Sequence, residues 1–142
     1  MAAESTERAI LSELEADAKA SYGDIANRVG VSKPTVRKYI RKLEEDGVIV
    51  GYSADINPKK VAGRTIALVG IEVESERYVE AANALKELDT VESLFTSSGD
   101  HMLMAEVRGS DGDHLGRIIQ DDIVEIDGVT AAHPSFLQER LK

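Results

Sequence analysis

Hydrophobic residues in the first 47 positions recur at helical spacing and predict three helices separated by turn residues. The first helix runs from about Ser5 to Asp17, where Ala, Glu and Leu favour helix. The second begins near Ser21, a good capping residue, and ends at Gly30, where a left-handed residue is expected. The apolar faces of these two helices consist of Ile10, Leu11 and Leu14, and of Ile25, Ala26 and Val29.

A third helix follows, with Ser32 as its cap, Pro34 in its first turn and Gly47 at its end. Its apolar residues fall at i, i+4 and i+7 on one face, and they are Val36, Ile40 and Leu43. Two short helices separated by a glycine-containing turn are typical of the helix-turn-helix motif. The first part of the chain therefore predicts a helix-turn-helix domain over residues 1–52, winged-helix-like in class.

The pattern changes after an extended connector that contains Asn57-Pro58, a pair that disfavours helix. We place a hinge at residues 53–63 and a second domain at residues 64–142. Strands are predicted at 64–74, 91–96, 102–108 and 129–137, and helices at 76–88 and 113–123. The order βαββαβ predicts a ferredoxin-like sheet with two helices on one face, and an α+β fold class for the whole chain.

Several apolar residues of this domain have predicted positions. The helix at 76–88 is expected to direct Val79, Ala82, Leu85 and Leu88 inward, while Met102 and Met104 alternate on a strand. The face of the sheet opposite the helices has nothing to cover it. Because a domain of about 80 residues buries little apolar surface, we expect this face to form a homodimer.

The composition bounds the classes of function. The chain has 142 residues, a net charge of −9 and no cysteine, which excludes disulfides, thiolate nucleophiles and cysteine-ligated zinc. Neither a signal peptide nor a transmembrane segment is recognisable, so we expect a cytoplasmic protein without membrane contact. Strong acidity is typical of proteins kept soluble in concentrated salt, and it favours a halophilic source.

One local cluster of residues is basic, although the chain as a whole is acidic. Between Ile25 and Leu43 the sequence contains basic residues but no Asp or Glu, and the cations of the third helix point away from its apolar face. The candidate DNA-contacting residues are Ser32, Lys33, Pro34, Thr35, Arg37, Lys38, Arg41 and Lys42. Arg37, Lys38 and Arg41 suit phosphate and guanine contacts, Thr35 and Pro34 lie near base edges, and the first two residues of the set suit phosphate anchoring. The alternative is an ordinary solvated helix face.

A second candidate site is a short loop between two strands. Glycine lets backbone amides approach a carboxylate closely, which suits an effector site, although the same residues also suit a plain hairpin turn. The candidate effector-binding residues are Ser97, Ser98, Gly99, Asp100 and His101, with Thr130 and His133 facing the same site. We predict no metal site, because the three histidines lie on separate elements without ligand spacing, and no cofactor. The lack of a nucleophile with a neighbouring base argues against catalysis.

Four stretches in this order resemble the Lrp/AsnC (feast/famine) family of transcriptional regulators: AILSELEADAKASYGDIANRVGVSKPTV, RKLEEDGVIVGYSADINPKK, SSGDHMLMAEV and IDGVTAAHPSF. The resemblance implies a DNA-binding domain, a ligand-sensing domain, dimers that often form tetramers or octamers, and amino acids as effectors. Met102 and Pro134 depart from residues that often help to hold the ligand in the family, an aspartate and a threonine.

The predicted function is a sequence-specific, homo-oligomeric transcriptional regulator that binds a palindromic site in double-stranded DNA and is not an enzyme. Two alternatives stay open at this point. One is a sirohaem-decarboxylase-like enzyme of the haem-precursor pathway, since such enzymes are similar to this family in both domains. The other is an architectural protein that wraps DNA with little sequence preference.

Overall fold

Three helices form the N-terminal part of the computed structural model, which describes residues 2–142. They are α1 (Ala2–Ala16), α2 (Tyr22–Val29) and α3 (Lys33–Glu45). By its internal contacts the chain divides into a unit that ends at Asp55 and a unit that spans Ile56–Lys142.

The apolar faces of the three helices form one small core. Its buried members are Ile10, Leu14, Ile25, Ala26, Val36 and Ile40. Leu11, predicted on the same stripe, is only partly buried. Val36, Ile40 and Leu43 are all buried on the inner side of α3, which confirms the predicted face of this helix.

Capping residues set the turn between the second and third helices. The Ser21 hydroxyl accepts a hydrogen bond from the Asp24 N–H at 3.1 Å and starts α2. Gly30 has φ of +80° and donates its N–H to the Ala26 carbonyl at 2.9 Å, which ends the helix as predicted. A side chain at this position would be strained, so the glycine makes the short turn between α2 and α3 possible.

The second unit is a four-stranded antiparallel sheet with the order β2-β3-β1-β4. Its strands are β1 (Thr65–Val73), β2 (Val91–Thr96), β3 (Leu103–Gly109) and β4 (Val129–Leu137). Its helices are α4 (Tyr78–Lys86), preceded by a 3₁₀ turn at Ser75–Arg77, and α5 (Gly112–Arg117), which continues as a π-helical turn at Ile118–Ile123. The predicted βαββαβ order and the α+β class are confirmed.

The helices cover one face of the sheet only. Val69 and Ile71 of β1 pack with Leu85 and Leu115 of the two helices in the buried core. Along each strand, every second side chain points to the opposite side of the sheet, which we call the open face. Leu68, Phe95 and Leu137 lie there and are 40%, 62% and 39% exposed.

Two apolar positions differ from the prediction. Val79 is 69% exposed, because the predicted residues recur at every third position and such a set drifts by about 60° round a helix at each step. Ala81 and Leu85 are the buried residues of α4. Met102 lies in the turn before β3 rather than on the strand, partly buried against the core.

The predicted connector is extended. No strand is assigned between Glu45 and Thr65 in the described chain, and the only regular element there is a 3₁₀ turn at Pro58–Lys60. Asn57 holds this turn to the end of the chain, since its side-chain amide donates to the Arg140 carbonyl at 3.4 Å. Among residues 2–142, no helix is both long enough and apolar enough to cross a membrane.

The different burial of two residues on α4 can be measured. We expect Leu85→Ala to lower the free energy of unfolding of the second unit by about 2–5 kcal/mol, because it leaves a cavity in a closed core. Val79→Ala, on the same helix, should change it by less than about 0.5 kcal/mol. Chemical denaturation followed by circular dichroism checks the pair, and equal losses would contradict the observed orientation of α4.

Candidate nucleic-acid interface and effector site

The outer side of α3 carries a continuous basic surface. Lys33, Arg37 and Arg41 follow one another at i, i+4 and i+8, with Pro34 and Lys38 beside them, and all five residues are exposed. A shallow depression on this surface is lined by Pro34, Arg37, Lys38, Arg41, Lys42 and Glu45. The buried residues of α3 fix its rotation, so the cations project together into solvent.

Ion pairs distinguish these cations from their neighbours. Arg28 pairs with Glu13 of α1 at 3.0 Å, and Lys42 pairs with Glu7 of the same helix. Within residues 2–142, no carboxylate lies at ion-pair distance from four cations, which we call the recognition face: Lys33, Arg37, Lys38 and Arg41. Unpaired cations on one helix side form a local positive potential in a chain of charge −9.

Lys42 differs from the other predicted DNA-contacting cations. Its ammonium group is bound by the Glu7 carboxylate, whose hydrogen bond and negative charge raise the pKa of Lys42. Glu13 raises the pKa of Arg28 in the same way. Both pairs join α1 to the helix-turn-helix, so Lys42 is positioned to hold α3 against α1.

Two contacts that the periodicity of the sequence does not reveal orient the recognition face. The Arg37 guanidinium lies over the Tyr22 ring, 5.8 Å from its centroid, at cation–π distance. The Lys33 side chain passes close to Gly23, where an added β-carbon would stand 2.8 Å from its Cε atom. Tyr22 and Gly23 open α2, so the first turn of this helix supports two cations of the next one.

The start of α3 is held by two hydroxyl groups. Ser32 accepts a hydrogen bond from the Thr35 N–H at 3.3 Å, and the two hydroxyl oxygens lie 2.8 Å apart. Ser32 is exposed, whereas Thr35 is half-buried. The cap leaves the Ser32 hydroxyl at the positive end of the helix, where a phosphate oxygen is favoured.

The predicted effector loop is the turn between β2 and β3. Ser97 donates its N–H to the Met102 carbonyl at 2.9 Å, and Gly99 donates its N–H to the Ser97 hydroxyl at 3.2 Å. These bonds belong to a hairpin turn and already use two of the backbone amides. Ser98 and Asp100 are exposed at its tip.

His101, the last residue of this loop, returns to the open face and meets two other polar side chains there. Its Nδ1 atom lies 2.6 Å from Glu72 Oε1 of β1. The ring stacks on that of His133 of β4, with centroids 4.9 Å apart and planes inclined at 22°. His133 is paired with Gly70 of β1, and the His101 ring lies directly over this glycine.

The structure therefore brings together part of the predicted effector set. His101 and His133 are in contact, while Thr130 is exposed and lies where the β1–β4 register shifts. The sequence pattern missed Glu72 and Gly70, because it predicted a strand at 64–74 without assigning a functional residue to it. His114, by contrast, lies apart, with its Nδ1 atom 3.0 Å from the Ser110 hydroxyl oxygen.

Comparison with known proteins supports both units. A family model described as winged helix-turn-helix DNA-binding matches residues 4–50, and the model of the Lrp/AsnC ligand binding domain matches residues 66–142. The chain is 68% identical over 142 residues to the HTH-type transcriptional regulator LrpA1 of Halobacterium salinarum, with 100% of both chains covered.

Solved structures share the fold. The leucine response regulatory protein LrpA of Mycobacterium tuberculosis has 28% identity and a TM-score of 0.77, over 96% of this chain and 93% of that one. A transcriptional regulator of Neisseria meningitidis, solved as an L-Met complex, has 20% identity and a TM-score of 0.71, over 96% and 90%.

The two family models and the 68% identical relative, which is named as a transcriptional regulator, identify the chain as a transcriptional regulator rather than an enzyme. The chain belongs to the Lrp/AsnC family. The predicted family is thus confirmed, and the sirohaem-decarboxylase alternative has no support among these relatives, which are named as regulators. The acidic composition and the Halobacterium relative fit a halophilic origin.

The close approach of His101 to Gly70 gives a prediction. A β-carbon at Gly70 would stand 2.1 Å from Cδ2 of His101, so we expect Gly70→Ala to displace the ring. The imidazole resonances of His101 and His133 should shift in NMR spectra, and the free energy of unfolding should fall by about 1–3 kcal/mol. Gly116→Ala is the control, because nothing lies within 4 Å of the added β-carbon in α5. Unchanged imidazole resonances in the Gly70 variant would contradict the packing.

Proposed function

We propose that the chain is a sequence-specific DNA-binding regulator in which α3 is the recognition helix. The observation that carries this proposal is the recognition face, four cations without carboxylate partners on the solvent side of a helix-turn-helix. In this motif the second helix lies in the major groove, with its N-terminal residues near base edges. The protein would act in the cytoplasm, where a prokaryotic chromosome is accessible.

The contacts divide by position along α3. Ser32 and Lys33 stand at the helix N-terminus and suit phosphate oxygens, which fix the register on the duplex. Arg37 and Arg41 have planar guanidinium groups that suit guanine edges or phosphates, while Lys38 is a flexible point charge. Pro34 and Thr35, between these groups, are placed to contact base edges through apolar or hydroxyl atoms.

We further propose that the protein binds DNA as a homodimer that assembles into tetramers or octamers. Leu68, Phe95 and Leu137 leave apolar area on the open face, which a second copy would remove from water. A two-fold dimer presents two recognition helices, so its operator would be palindromic with half-sites about one DNA turn apart.

The sensing unit is proposed to bind an amino acid or a related small metabolite. The support is the match to the Lrp/AsnC ligand binding domain and the polar loop of residues 97–101 close to His133. A protein of the same fold was solved with L-Met. Thr130 is exposed nearby on β4 and belongs to the proposed site. An effector that favours one assembly by about 1–3 kcal/mol would suffice to change DNA occupancy.

Concentrated salt limits how this DNA binding can work. If a dimer neutralised about six phosphates, counterion release would lower its affinity on the order of 10⁷-fold between about 0.15 M and 3 M salt. A halophilic regulator therefore needs contacts that salt screens little. Apolar contacts of Pro34 and hydrogen bonds of the Ser32 and Thr35 hydroxyl groups are of this kind.

The recognition face gives a direct test. We expect Arg41→Ala to weaken operator binding roughly tenfold to a hundredfold and to lower the salt slope by about 1 per protomer, because a contact to DNA is lost. Arg117→Ala, which removes an exposed arginine of the sensing unit, should leave affinity unchanged. Fluorescence anisotropy measures both variants, with light scattering to show that oligomer size is retained.

Two outcomes would contradict the proposal. If Arg41→Ala and the natural chain bound the operator with equal affinity, Arg41 would not be a DNA contact. Equal binding to the operator and to a scrambled duplex would favour the architectural alternative, since such a protein recognises the backbone without reading bases.

The effector site is tested by thermal shift. In a screen of the twenty amino acids at high salt, we expect at least one to raise Tm, because a ligand present at 100 times its Kd stabilises the folded state by about 2.7 kcal/mol. The shift should shrink in Thr130→Ala. Twenty unchanged midpoints would show that the sensing unit responds to a different class of molecule.

A further inference from the structure

Three side chains that can bind metal converge on the open face of the sheet. Glu72 comes from β1, His101 from the end of the β2–β3 loop, and His133 from β4. One ligand atom from each lies within 4.8 Å of the other two. From these observations we propose that the cluster binds one divalent transition metal ion of the zinc type.

The donor set selects the class of ion. Two imidazoles and one carboxylate suit zinc and its neighbours cobalt, nickel and copper, whereas calcium and magnesium prefer oxygen donors. Many acidic side chains of this chain offer oxygen alone, so the two imidazoles distinguish this cluster from the rest of the surface. Three protein ligands leave a fourth zinc position for water or another donor.

The backbone places the three ligands without help from a partner. The strand register sets Gly70 opposite His133, and Glu72 is two residues further along the same face of β1. Because Gly70 has no side chain, the His101 ring can lie directly against β1 at this position. The proposed site therefore requires a glycine at position 70, because a β-carbon there would displace the His101 ring.

Metal binding requires a small adjustment. Zinc holds neighbouring ligand atoms about 3.3 Å apart when its bonds are near 2.0–2.1 Å. The contact between His101 Nδ1 and Glu72 Oε1, at 2.6 Å, would widen and the stacked rings would turn their nitrogen atoms inward. The bound ion would replace the direct contact between these two side chains.

The cluster is accessible to an ion in the isolated chain. His101 and Glu72 side chains are each 29% exposed, and His133 is exposed. All three lie on the face proposed to meet a second copy, so a bound ion would add to the stability of the sensing unit where subunits assemble. This inference does not depend on DNA binding, because none of the three residues lies in the helix-turn-helix unit.

The test uses full-length protein without an affinity tag, stripped with a chelator and dialysed into excess magnesium to occupy carboxylate-only sites. Isothermal titration with Zn²⁺ should give one ion per chain. Co²⁺ should give visible absorption bands of a low-coordinate nitrogen and oxygen site. Tm should rise with either ion.

Two variants test proposed ligands, and a third is the control. His133→Ala and Glu72→Gln should each weaken Zn²⁺ binding by tenfold or more and remove the Co²⁺ bands. His114→Ala removes a histidine outside the cluster and should match the natural chain. Because His133 is exposed, its variant should fold normally, as circular dichroism would show.

Two results would overturn the proposal. One is the absence of Zn²⁺ binding to the natural chain under these conditions. The other is Zn²⁺ affinity that is the same in the natural chain, His133→Ala and Glu72→Gln, which would assign the ion to surface carboxylates. The effect of Arg41→Ala on operator binding concerns only the DNA proposal. The DNA-binding test and the Zn²⁺-binding test can therefore fail independently.

Discussion

Burial of one side of α3 is the constraint on which the DNA-binding half depends. Val36 and Ile40 are 0% and 2% exposed, and a rotation of the helix would bring them into water at a cost of about 1.5–3 kcal/mol each. The core thus determines which side chains face outward. The ion pair between Lys42 and Glu7 of α1 reinforces this orientation, while the pair between Arg28 and Glu13 holds α2 to the same helix. The positive potential is left on the outward side of α3.

The sensing half follows from a sheet that is covered on one side. Its helices supply Leu85 and Leu115 to the core, while the open face combines apolar residues with the Glu72, His101 and His133 cluster. A surface of this kind can join two subunits and respond to small ligands with the same residues. In the proposed dimer, assembly and ligand binding would both involve the open face and would therefore be linked by geometry.

Local patterns in the sequence were enough for most of the fold. The apolar face of α3, the left-handed Gly30 and the bounds of β2 and β4 follow from periodicity and turn chemistry. The prediction for Val79 was wrong because residues spaced by three drift round a helix, while Ala82, Leu85 and Leu88 of the same set do pack in the core. The meeting of His101 with His133, like the pairing of Lys42 with Glu7, depends on long-range register and packing, which local patterns in a single sequence do not reveal.

The stacking of Arg37 on Tyr22 has a consequence for how long a complex lasts. A free arginine side chain loses on the order of 2 kcal/mol of rotamer entropy when it is immobilised. An arginine already restrained by an aromatic ring loses less on reaching DNA, so its contact breaks more slowly at equal contact strength. At about 1 M salt the Debye length is about 3 Å and long-range attraction no longer speeds encounters. If Arg37 contacts the operator as proposed, Tyr22 would lengthen the residence time of the complex rather than speed its formation.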